Sequence, residues 1–112
     1  QYINIKPGRI GGLSNALAVH DLCQNAGVPV WVGGMLESAL GAAICVEVAT
    51  LPNFTYPGDL FASSRFYVED LCEPPTVMTE NHTFMPYEGR LPEPNPERLE
   101  ALTKRHATVL PQ

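Results

Sequence analysis

Basic residues are scarce in this 112-residue chain: seven Lys and Arg stand against twelve Asp and Glu, for a formal charge of −5 and a pI near 5.0. A nucleic-acid-binding domain would show the opposite balance, so any anion must be held by a few local cations. Long apolar runs are missing too. No stretch approaches the ~20 residues that span a bilayer. The opening Gln1-Tyr2-Ile3-Asn4-Ile5-Lys6 has neither the charged start nor the apolar core of a signal peptide. Cysteine is limited to Cys23, Cys45 and Cys72, an odd set without the spacing of a zinc or redox motif. Buried free thiols in a reducing, cytoplasmic setting are the expectation. His20, His82 and His106 are too scattered to make a metal-ligand set. An initiator Met is also lacking, and the chain starts inside a strand pattern. A processed terminus or a piece of a longer polypeptide is expected.

What is present reads as alternating strands and helices. Ile3 and Ile5 alternate with Asn4 and Lys6, giving a strand with one apolar face. Pro7 to Gly12 is a glycine-rich turn. Ser14 is placed to cap a helix through about Asn25, with Leu13, Ala16, Leu17, His20 and Cys23 at helical spacing and Gly27 as the stop. Val28 to Val32 is a continuous apolar run, as suits a strand covered on both faces of a parallel sheet. Gly33-Gly34-Met35 turns into a second, nearly all-apolar helix from Ser38 to about Thr50, whose sole interior charge is Glu47. Pro57 to Ser64 predicts a third short strand and its loop. The order is that of two consecutive βαβ units. After Leu71 prolines cluster. Thr76 to Tyr87 could supply short antiparallel strands, and Asn95 to about His106 reads as a helix with Asn95 as cap, Pro96 in the first turn, and Leu99, Leu102 and His106 on one side. Residues 1–71 and 72–112 therefore read as two modules. Three parallel strands and two helices leave open edges that need covering from outside this stretch.

Lys6 is the leading candidate for chemistry. It lies at the C-terminal end of a strand, where barrel enzymes place their catalytic groups, and enclosure there disfavours its charged form. Arg9, three residues on, is placed to hold a carboxylate or to repel the charge on Lys6. The turn at Gly33-Gly34-Met35-Leu36 could bring backbone close to a ligand, with Met35 and Leu36 as an apolar wall. Asp59 could meet a cation or cap the turn that follows it, and the second is the stronger expectation. The Gly8–Gly12 turn before a helix could bind an anion, although it lacks the dinucleotide fingerprint. That keeps a non-catalytic α/β anion-binding module open as an alternative.

Three linked motifs then carry a resemblance: Asn4-Ile5-Lys6-Pro7-Gly8-Arg9-Ile10-Gly11-Gly12, Val28-Pro29-Val30-Trp31-Val32-Gly33-Gly34-Met35-Leu36-Glu37-Ser38, and Pro57-Gly58-Asp59 with Ala62-Ser63-Ser64-Arg65. Over about residues 1–72 the chain resembles the end of the o-succinylbenzoate synthase family of the enolase superfamily, in the branch that includes N-succinylamino-acid and N-acylamino-acid racemases. The proline-rich tail is less typical of it. The resemblance implies an α/β fold, the C-terminal part of a (β/α) TIM-type barrel holding about its sixth to eighth strands, followed by a C-terminal segment of a capping domain. It implies that Lys6 is the sixth-strand catalytic lysine, that Arg9 belongs to the Lys-x-x-Arg pattern of the racemase-like branch, and that Gly34, Met35 and Leu36 line the substrate pocket. The implied reaction removes a proton α to the carboxylate of a small molecule, with Mg²⁺ stabilising the enediolate. The partner lysine and the metal carboxylates would come from the rest of the barrel, as an upstream segment or a second chain. A homo-oligomer is expected. The synthase reaction, a dehydration in menaquinone biosynthesis, is the leading expectation and racemisation the second.

Overall fold

The computed structural model describes residues 1–109. Five elements organise them: β1 (Ile3–Ile5), α1 (Leu13–Asn25), β2 (Val30–Val32), α2 (Ala39–Ala49) and α3 (Pro96–Leu102), with a 3-10 turn at Ser63–Arg65. β1 and β2 pair in parallel, with Ile3, Asn4 and Ile5 opposite Val30, Trp31 and Val32. α1 is the crossover between them, as parallel pairing requires.

Alternation on the strands decides what is buried. Ile5 (1% exposed) and Val30 (0%) meet Ala16 and Cys23 of α1, while Val32 (1%) meets Cys45 and Val48 of α2. Burying each large aliphatic side chain is worth about 1.5–3 kcal/mol. The opposite face carries Asn4 and Lys6. α1 ends in a Schellman arrangement: the Gly27 amide, at φ +67°, donates to Gln24 O and the Val28 amide to Cys23 O. Val28 also packs against the cluster of Ile5, Ala16, Cys23 and Val30. His20 is buried in this core, stacked on Phe54 at 5.5 Å with its Nδ1 bonded to Asp21, a structural role as expected.

Several expectations need correction. Ser14 lies within α1; Gly12, at φ +107°, occupies the cap position, since only the residue before Leu13 leaves the helical path. Leu13 and Leu17 are 46% and 39% exposed, so the covered stripe of α1 is narrower than its sequence suggests. The third strand does not form. Phe54 and Asp59 each make an isolated parallel bridge to Val30 and Gly33, and Pro57 between them has no N–H to continue a ladder. Ser63–Arg65 turns instead of extending. Thr76 to Tyr87 forms no strand; it closes locally, the Thr79 amide donating to Thr83 O. α3 stops at Leu102, short of His106, and buries no residue. Its cap is as expected, with Asn95 Oδ1 accepting from the Arg98 amide at 3.1 Å.

α2 is largely covered, as its composition predicts: six of its eleven residues are buried. Its N-terminus is held from a distance. The Ser38 side chain makes no capping bond; the Asp70 carboxylate accepts from the Ala39 amide at 3.0 and 3.1 Å. The Cys72 amide donates to the same carboxylate at 2.9 Å. Burial pushes the Asp70 carboxyl up, but these amides, that of Leu71 and the nearby Ser63 hydroxyl outweigh it and hold the group below its ordinary value. The Ser63 hydroxyl itself is fully buried and meets no partner in good hydrogen-bond geometry. Thr76 Oγ1 donates to Ala39 O at 2.8 Å, and the Tyr87 amide to Glu47 at 2.6 Å, so residues after Leu71 are laced along α2.

Two outcomes follow. Asp70→Ala lowers stability in urea unfolding by about 0.5–2 kcal/mol, the range for a lost helix cap. Because the folded-state pKa is depressed, this contribution is present above pH 3.8 and disappears as pH falls through the folded value. The deficit of the variant therefore closes in acid. Separately, Leu22, Leu36 and Leu102 are 60% exposed or more, and β1 has one unpaired edge among the described residues. This chain binds an apolar dye such as ANS in its folded state; a folded chain without ANS fluorescence would contradict this exposed apolar surface.

Candidate active site

All five residues expected in the site line one cleft. Lys6, Arg9, Gly34, Met35 and Leu36 surround about 420 Å³ together with Phe61, Arg65 and Phe66. The turns at the ends of β1 and β2 place the first five. The Arg9 amide donates to Lys6 O at 2.8 Å and the Gly12 amide to Pro7 O at 2.9 Å, which folds the first turn back beside the strand end. The Gly33 amide donates to Ile5 O at 2.9 Å, carrying the pairing one step past β2.

Lys6 Nζ donates to Gly34 O at 2.9 Å. It lies 4.0 Å from Asp59 Oδ2, with the two side chains 33% and 48% exposed. Asp59 thus meets a cation within the chain and caps no turn, against the stronger of its two expectations. A half-exposed pair of this kind contributes little stability; the hydrogen bond to Gly34 O is what fixes the amine. The Arg9 guanidinium is exposed and has no ion-pair partner among the described residues.

Phe61, Arg65 and Phe66 were not singled out as site residues by the sequence. Arg65 sits 4.4 Å above the Phe61 ring, and Phe61 meets Phe66 edge-on at 6.0 Å. The available signal was their position just beyond Asp59, at the end of the third strand segment. With Arg65 included, three of the chain's seven basic residues border this cleft. An acidic protein has here a local surplus of positive charge suited to a carboxylate.

One cleft wall hangs from the segment after Arg65. Tyr67 Oη donates to Leu36 O at 2.6 Å, and Met35's amide donates to Glu37 at 3.1 Å. Met35 (41% exposed) and Leu36 (69%) are therefore held at the cleft by their backbone, with side chains free to meet a ligand. Behind the cleft, burial and Glu37 push the Cys45 thiol up to about 11, against a smaller pull down from Lys6. All three cysteines are free and buried. Among the described residues no three His, Cys, Asp or Glu side chains come together to hold a metal, and no helix is long and apolar enough to cross a membrane.

Residues 1–89 match the family described as Enolase C-terminal domain-like. An N-succinylamino acid racemase from Amycolatopsis sp is 50% identical over 104 residues, which cover 92% of this chain and 28% of that protein. The o-succinylbenzoate synthase of Bacillus subtilis (strain 168) is 53% identical over 72 residues, 64% of this chain and 19% of that protein. Among solved structures, an enolase-superfamily member from Listeria innocua superposes with TM-score 0.75 at 34% identity, over 93% of this chain and 28% of that one. A dipeptide epimerase from Cytophaga hutchinsonii, complexed with Mg and the dipeptide D-Ala-L-Val, superposes with TM-score 0.73 at 26% identity, over 89% and 27%. The chain thus spans between 19% and 28% of the length of these relatives. The fold is the C-terminal barrel portion that the motifs imply. The likeness runs well past Cys72, further than those motifs reach.

In the folded protein, iodoacetamide at pH 8 leaves Cys23, Cys45 and Cys72 unmodified until denaturant is added; mass spectrometry reads the adducts. Prompt labelling of Cys45 would contradict its burial, at 2% exposed.

Proposed function

We propose, on the premise that this chain belongs to the Enolase C-terminal domain-like family, that it completes the active site of an o-succinylbenzoate synthase-like lyase. The observation that carries this is the cleft at the end of β1, where Lys6 Nζ, Arg9 and the Gly34–Leu36 turn face one space. Residues 1–71 belong to the barrel and residues 72–112 to the cap. Lys6 works on one face of the α-carbon of a small carboxylate, as proton carrier or as a cation beside the charge that develops when the α-proton leaves. Arg9 binds an anionic group of the substrate, and Gly34, Met35 and Leu36 enclose its apolar part. The partner lysine is supplied by the rest of the barrel, as an upstream segment or a second chain.

Mg²⁺ is proposed as the cofactor. The described residues do not form its site, so its ligands also lie in the rest of the barrel. When bound, the ion offsets negative charge on the substrate carboxylate. We place the complete enzyme in the cytoplasm as a homo-oligomer, with the synthase reaction serving menaquinone biosynthesis. The relatives are named as enzymes, which favours catalysis over a binding module built on the Gly8–Gly12 turn.

Racemisation of an N-succinylamino acid is the second reading. Arg9 favours it, as does the racemase relative, whose likeness extends over 92% of the chain. Assays of both reactions on the complete enzyme decide. Dehydration of the cyclohexadiene carboxylate is expected; racemisation without dehydration sinks the leading reading. In either reaction Lys6→Ala lowers kcat by about 10²–10⁴-fold, as for loss of a positioned acid–base group. Arg9→Ala raises KM about tenfold or more through loss of one charge-assisted contact, with kcat the lesser effect.

A further inference from the structure

Beneath Lys6 lies a group that the proposed chemistry has not used. Asn4 Oδ1 is buried and has no hydrogen-bond partner among the described residues. A buried acceptor left unpaired is costly, so a donor is expected to reach it when the site works. Asn4 shares the site-facing side of β1 with Lys6, and Gly33, just past the neighbouring strand β2, sits under both. A Cβ on Gly33 would fall 2.6 Å from Asn4 Oδ1, 3.0 Å from Asn4 Nδ2 and 2.9 Å from Lys6 Nζ. The amide oxygen and the amine thus lie within 2.9 Å of the same point. Gly33 does not lie at positive φ. Its backbone would accept another residue, but a Cβ there would displace the ends of the Lys6 and Asn4 side chains.

We propose that Asn4 is a positioning residue for Lys6, acting across the bare face of Gly33. Gly34 O takes one N–H of the Lys6 amine, as observed. Asn4 Oδ1 takes a second after a small side-chain rotation. The remaining direction on nitrogen then points into the cleft: a lone pair when the amine is neutral, an N–H when it is charged. Two fixed acceptors behind the amine convert a flexible lysine into an aimed one. Gly33 is glycine because any side chain there separates Lys6 from Asn4.

The inference rests on Lys6 being the proton carrier for one face of the substrate. Its test uses the complete enzyme, with each configuration of an N-succinylamino acid as probe, following exchange of the α-hydrogen with D₂O. Asn4→Leu, which keeps the shape and removes the acceptor, is expected to slow exchange at the Lys6 face about tenfold, the worth of one hydrogen bond. KM and exchange at the opposite face stay within twofold. Asn4→Asp, which returns an oxygen to the same place, restores the Lys6-face rate. Gly33→Ala gives the same one-faced loss as Asn4→Leu. Equal slowing at both faces, or no slowing, overturns the proposal. A crystal structure of the wild-type complete enzyme with a bound carboxylate decides independently of activity and of whether the variants fold. Lys6 Nζ and Asn4 Oδ1 at hydrogen-bond distance, about 2.7–3.2 Å, supports the assignment. Asn4 Oδ1 bonded to another residue, with Lys6 out of reach, refutes it. Absence of exchange at either face in the wild type would count against the proposed reaction, and the crystal distance would still decide the role of Asn4.

Discussion

The parallel register that sets Ile5 against Val32 governs everything at the site. It brings the residue after β1, Lys6, level with the residue after β2, Gly33. A slip of one residue would turn Ile5 outward and send Lys6 into the α1 interface. The register is held from both sides. Ile5, Val30 and Val32 are sealed against the helices, and the Schellman end of α1 fixes where the chain enters β2. The chemical end of the strands is thus a consequence of how their buried faces pack.

A second constraint joins the parts of the chain that follow. Asp70 holds the amide end of α2 and the amide of Cys72 at once. Arg98 reaches back to Asp70 O at 2.9 Å and pairs with Glu69 and Glu73, so α3 is tied to the same short segment. These ties are polar and local. They locate the proline-rich tail against α2 without a core of its own, in keeping with an α3 that buries no residue.

The sequence was legible where periodicity and backbone chemistry agree. Alternation gave β1 its two faces, Gly27 and Asn95 marked helix ends, and the glycine turns at strand ends marked the cleft. It misled where the outcome depended on partners distant in the chain. Pro57 to Ser64 carries a strand-like composition, yet a missing N–H and a 3-10 turn interrupt its pairing. The second helix was expected to begin at Ser38, but nothing local announces that its first amide is held by the Asp70 carboxylate, thirty-one residues from Ala39 in sequence. Thr76 to Tyr87 has strand-forming residues but finds its bonds on α2 and within its own turn. Arg65 and the two phenylalanines beside it join the site only because the chain turns there, which no local pattern announces.

The bond from Tyr67 to Leu36 O carries an implication of its own. Lys6 is anchored by the sheet, whereas the lip of the cleft is suspended from the stretch around the 3-10 turn. Reach and reactivity are therefore written in different places along the chain. A change in length or composition between Ala62 and Leu71 would resize the opening while Lys6 stayed where the strands put it. A protein built this way can drift in what it accepts long before it alters what it does.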